Sequence, residues 1–170
     1  LKKILLLLVV LPAFCFAQKD YCKDISNTIS TKGFVTYKSP DLKYTAVLKQ
    51  LSDPIFFALQ IHLLSDREHA DPSGATVIFE DGTVLKDDSI KVVSAQESSD
   101  FYAGNVGSPG MAHTGYYLLQ AFFPISKENI SVFSAKMIKQ VTLSDQQQNV
   151  SSKEAAKIME YIKCMDAVDH

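Results

Sequence analysis

The sequence predicts a mainly β (α+β) fold: an antiparallel β-sandwich or curled sheet with a short helix and a C-terminal amphipathic helix. Three observations predict it. Short runs rich in β-branched and aromatic residues recur with turn residues between them. Asp81-Gly82 divides two such runs and marks a hairpin. Helical periodicity is sustained only at the carboxy terminus. The 170 residues are 46% hydrophobic and 21% charged, which suits one packed core. That balance excludes a collagen, a coiled coil, a disulfide-dense miniprotein and a multi-span membrane protein.

The amino terminus reads LKKILLLLVVLPAFCFAQKD. Lys2 and Lys3 form a positive region, Ile4 to Phe16 an apolar one, and Cys15 and Ala17 place small residues at −3 and −1. This is the pattern of a signal peptide over 1–17, cleaved ahead of Gln18. An apolar stretch of about 13 residues is short of the roughly 20 that span a bilayer. Lipid attachment at Cys15 would want a small residue where Phe14 stands. Residues 18–170 are then one exported β-rich domain, periplasmic or extracellular. Losing Lys2 and Lys3 leaves 15 of the 17 basic side chains against 19 acidic ones. Such mild acidity offers no footprint for nucleic acid or an anionic membrane.

Gly33 to Tyr37 and Tyr44 to Leu51 read as strands around the turn Ser39-Pro40-Asp41. Ile55 to Leu64 (IFFALQIHLL) is the most apolar run after the leader. Its aromatic and β-branched content and the preceding Pro54 favour a long central strand over a buried helix. Residues 65–74 form a polar loop. Ala75 to Glu80 and Thr83 to Lys86 make the hairpin, Ile90 to Ala95 a further strand, and 96–113 a long exposed excursion. Gly115 to Phe123 is a buried strand ended by Pro124. Ser126 caps a short helix with Ile130 and Phe133 inward, and Met137 to Leu143 alternates as a half-buried strand. Gln146 to Gln148 read as a polar loop. Ser151 to Glu154 spells a capping box that opens a helix over 152–167. Ala155, Ile158, Met159, Ile162 and Met165 line its apolar stripe.

Cys22 and Cys164 remain after cleavage, near the two ends of the chain. An oxidising compartment favours a bridge between them over two unrelated thiols. At about 100° per residue, Cys164 points away from Ala155, toward whatever covers the helix. The amino-terminal strand is the candidate cover. Neither cysteine has a CxxC or clustered histidine to suggest a metal.

The order of pieces — signal peptide, apolar strand, hairpin Ile78 to Thr83, long polar loop, strand Gly115 to Phe123, short helix, closing strand and helix — resembles small exported bacterial β-sandwich-like proteins of unassigned function. The resemblance covers most of residues 55–165 and rests on structural motifs. It implies location and fold, and carries no catalytic residue across.

Chemistry-bearing motifs are few. Asp66, Glu68, His69 and Asp71 space oxygen ligands in the 65–74 loop but lack the glycine and closing glutamate of a calcium loop, so a solvated loop is expected. No G-x-S-x-G elbow accompanies the serines, and His62 reads as a face or core residue of its strand. His113 is the histidine best placed for catalysis. Phosphate-cradling glycine loops are absent, and no cofactor is expected. The segment Asp100 to Tyr117 offers aromatics among glycines. Phe101, Tyr102, Tyr116, Tyr117 and His113 are therefore the expected binding residues, for a protein, peptide or glycan. Tyr116 and Tyr117 must point to opposite faces of a strand, so one belongs to the core. The expected function is a non-enzymatic exported binding module. The alternatives are a small exported hydrolase working on the 96–114 loop side and an envelope-assembly subunit.

Overall fold

The computed structural model describes residues 20–97 and 116–168. Their strands form two antiparallel sheets. The larger runs β1 (Ser26–Ile29), β2 (Val35–Lys38), β3 (Thr45–Leu51), β4 (Phe56–Ser65), β8 (Tyr116–Pro124), β7 (Val93–Glu97). The smaller runs β10 (Gln146–Asn149), β9 (Ile138–Leu143), β5 (Ser73–Phe79), β6 (Val84–Lys91). Two helices complete the fold, α1 (Ile130–Ala135) and α2 (Ser152–Asp166), after a 3-10 turn at Tyr21–Asp24. The signal peptide expected over 1–17 lies outside the described residues.

Strand alternation builds the core. Phe57, Leu59, Ile61 and Leu63 of β4 and Leu119, Ala121 and Phe123 of β8 are buried on one face of the larger sheet. Val77 and Phe79 of β5 and Val141 and Leu143 of β9 face them from the smaller sheet as part of the same cluster. The inner side of β3 is covered by α2 instead. The single strand expected over Ile90 to Ala95 is instead divided, because β6 continues through Asp87 and Asp88 to Lys91 and β7 begins at Val93. At buried Val92 the chain leaves β6 in one sheet and enters β7 in the other, with its amide donating to Pro72 O at 3.2 Å.

Two turns differ from expectation. The Asp81-Gly82 hairpin puts only Gly82 at positive φ, +85°. Phe79 N–H bonds Thr83 O at 2.9 Å, enclosing three residues, so Glu80 and Asp81 keep ordinary backbone and the glycine takes the left-handed position. Gln146 to Gln148, expected as loop, lie in β10. A tight turn at Ser144-Asp145, with Ser144 at φ 53°, folds them back onto β9. Gln140 Nε2 donates to Gln147 Oε1 at 2.9 Å across the pair. Pairing geometry overrides the low strand propensity of glutamine here.

Ser126 begins a turn rather than capping α1. Its amide donates to Asn129 Oδ1 at 2.8 Å, and the helix starts at Ile130. Phe133 from α1 is buried against Phe79 and Phe123, with ring centroids 5.5 and 5.9 Å away. The α2 capping box is formed by Ser151 and Glu154. Lys49, buried beneath this helix, donates to Met165 O at 2.7 Å and Val168 O at 2.9 Å, satisfying carbonyls at the helix end.

Cys22 and Cys164 are joined by a disulfide, Cα atoms 5.4 Å apart. The cover on α2 is the 3-10 turn, whereas β1 follows it and pairs at the sheet edge. Tyr21 of that turn meets Tyr161 edge-to-face at 6.1 Å. Tyr161 is thereby buried on a side of α2 that the stripe reading left open, and burial, with Asp24 and Tyr21 adding, raises its phenol pKa.

Candidate functional site

The outward side of the larger sheet is the unusual surface of this molecule. Alternation sends Phe56, Ala58, Gln60, His62 and Leu64 of β4 away from the core, together with Tyr116, Leu118, Gln120 and Phe122 of β8. Register sets Gln60 opposite Phe122, His62 opposite Gln120 and Leu64 opposite Leu118. Val93 and Ala95 of β7 extend the face beyond β8, and Leu48 of β3 extends it beyond β4. Leu64 is 57% exposed, Val93 64% and Tyr116 47%; Phe56 and Phe122 pack edge-to-face at 5.8 Å yet remain exposed. None of these residues is Asp, Glu, Lys or Arg; Glu97 of β7, at the register position opposite Tyr116, and Lys38 of β2, opposite Leu48, stand at the margins of the face. No described helix packs on this side, since α2 lies against the inner side of β3.

The smaller sheet shows the ordinary arrangement by contrast. Its outward side carries Thr76, Lys86, Gln140, Thr142 and Gln147, with Lys86 ion-paired to Asp88 at 2.9 Å. Only Ile78 opposite Val84 is apolar there. Soluble domains rarely leave a broad apolar sheet face uncovered unless something binds it.

Among the expected binding residues, Tyr116 lies on the apolar face and is exposed. Tyr117 is on the inward side and half-buried, the division that strand alternation requires. Phe101, Tyr102 and His113 lie outside the described residues. Phe56, Phe122, Leu64 and Val93 were missed. The signal lay in IFFALQIHLL, whose two alternating sets are both largely apolar although the sheet is antiparallel. Such a strand is either covered on both faces or open to a partner on one.

A second constellation ties the β4–β5 loop to the β9–β10 turn. Ser65 Oγ lies 2.8 Å from His69 Nε2, and His69 Nδ1 lies 3.3 Å from Asp145 Oδ1. Arg67 pairs with the same aspartate. Partial desolvation pushes the Asp145 carboxyl up, but the Gln146 amide and the nearby Arg67 and His69 outweigh it, and its pKa falls below the ordinary value. The partners have the order of a hydrolytic triad. The hydroxyl, however, belongs to a residue only 2% exposed. It accepts from Arg67 N at 3.2 Å and faces Arg67 O at 3.0 Å. That environment makes the trio a clamp on the loop. Asp66, Glu68 and Asp71 do not join His69, and among the described residues no three His, Cys, Asp or Glu side chains are grouped to hold a metal.

A shallow open cleft of about 550 Å³ lies between Tyr44, Gln148 and the first turn of α2. Its Glu154 already accepts from Lys43 N at 3.2 Å and from Ser151. Among the described residues, no helix is long and apolar enough to cross a membrane. Compared with known proteins, the chain matches no family model, no curated protein and no solved structure.

Proposed function

We propose that this chain is an exported, non-enzymatic binding module that meets its ligand on the outward face of the larger sheet. The observation that carries the reading is the exposed, largely apolar surface of β4, β8 and β7, uncharged along β4 and β8, set against the polar outward side of the smaller sheet. Export is supported by the signal-like amino terminus and by the Cys22–Cys164 bridge, a bond that persists in oxidising compartments. A photo-crosslinking amino acid at Leu64 tests the site, with one at Thr76 as the opposite-side control. In cells that make the protein, a discrete adduct from Leu64 and none from Thr76 is expected. Equal yields from both positions, or none from Leu64, would contradict the reading.

A second reading, a small hydrolase, is favoured by the Ser65–His69–Asp145 order. Ser65 also pairs with Tyr117, at the strand end from which residues 98–115 depart. A fluorophosphonate probe that labels the native chain, and fails to label Ser65→Ala, would establish it. The clamp reading expects no labelling of either.

A further inference from the structure

We infer that the ligand of the outward face is a neutral glycan. The inference rests on the binding-module reading above and names its partner. The first reason is charge. The two central strands, β4 and β8, carry no ionic side chain on this face; Lys38 opposite Leu48 and Glu97 opposite Tyr116 stand only at its margins, so a charged ligand lying along β4 and β8 finds nothing there to pair with. A charged ligand would be desolvated here without compensation.

The second reason is the arrangement of polar groups. Gln60, His62 and Gln120 stand together mid-face, half-buried, and their side chains make no hydrogen bond or ion pair to another described residue. Two amides and an imidazole supply donors and acceptors in a short row. The aromatic rings lie at the two ends, the Phe56–Phe122 pair at one and Tyr116 at the other. Tyr116 and Phe122 are six residues apart on one strand, a separation of about 20 Å. A polysaccharide matches this pattern. Its sugar rings present apolar C–H faces to aromatics and hydroxyls to amides, and its length covers both.

The third reason is shape. Four strands about 4.8 Å apart make a platform about 20 Å wide, and the row from Phe122 to Tyr116 runs about 20 Å along it. An extended chain of sugars can lie along such a row. A peptide adding as a strand would pair at the β7 edge, whereas the row of rings and amides lies across β4 and β8, which are interior to the sheet.

The test is affinity electrophoresis of the full chain in native gels containing hydroxyethylcellulose, xyloglucan, galactomannan or dextran, with heparin as the charged control. Retardation by at least one neutral polymer and none by heparin is expected. Tyr116→Ala/Phe122→Ala should weaken binding about tenfold or more, and Gln60→Ala/Gln120→Ala should weaken it measurably. Thr76→Ala on the smaller sheet should leave it unchanged. Near-UV circular dichroism confirms that each variant is folded, and a misfolded double is replaced by Tyr116→Ser and Phe122→Thr singly. No retardation by any neutral polymer, retardation by heparin alone, or binding indifferent to both doubles would overturn the inference. So would concentration-dependent dimerisation abolished by Tyr116→Ala/Phe122→Ala, which would give the face to a second copy. A Leu64 crosslink to a protein alongside a negative gel would remove the glycan and leave the binding face standing.

Discussion

His69 turns its two ring nitrogens to two separate segments, Ser65 at the end of β4 and Asp145 in the β9–β10 turn. Substitution by alanine leaves the buried Ser65 hydroxyl with Arg67 backbone partners only. His69→Ala should cost about 1–2 kcal/mol, read as a lower urea midpoint at unchanged slope. Lys136 supplies a second residue-scale test. Its ammonium donates to Asp81, which also accepts from Thr83 N–H, and these bonds lower the Asp81 pKa from an ordinary 3.8 to about 2. A carboxyl depressed in the folded state contributes stability above its unfolded pKa and loses it as pH falls through the folded value. The acid limb between about pH 4 and pH 2 should therefore flatten in Asp81→Asn, measured by thermal melts across that range. An acid limb identical to the parent would remove Asp81 as its source. Neither contact was legible in the sequence. Ser65 and Asp145 are joined only once two loops meet in space, and Lys136 lies far along the chain from Asp81.

Among elements, the capping box of α2 and the long central strand β4 were legible because each is decided locally, by a side chain reaching three residues on or by alternation within one run. Elements decided by partners were not. β10 exists because β9 lies beside it, and the 3-10 turn packs on α2 through the bridge and Tyr21. Disulfide partners 142 residues apart constrain the unfolded chain strongly. Chain entropy gives up to about 5 kcal/mol for such a loop. Cys22→Ser/Cys164→Ser should lose about 2–5 kcal/mol in chemical denaturation, and reducing agent should bring the parent to the same midpoint. Phe133 is the corresponding test of α1. Its ring fills the space between Phe79 and Phe123, so Phe133→Ala should cost about 3–5 kcal/mol. A cost below about 1 kcal/mol would show that α1 does not close the core.

The whole molecule is a sandwich with one ordinary polar face and one apolar face. The sequence showed the fold class through its turns and alternation. It placed the candidate binding aromatics at 101–117, and of the two that are described Tyr116 lies on the exposed apolar face and Tyr117 on the inward side. The larger set, Phe56, Leu64, Val93 and Phe122, comes from three strands, and only sheet order β4-β8-β7 sets them side by side. The account requires that these side chains are held for a partner and contribute little to folding. Leu64→Thr/Val93→Thr keeps strand-forming residues and removes the two most exposed apolar side chains of the face. Urea unfolding of this double variant is the most direct measurement. Stability within about 0.5 kcal/mol per substitution is the predicted result. A loss of about 1.5–3 kcal/mol per residue, the value for side chains buried on folding, would contradict it, because the face would then belong to the core.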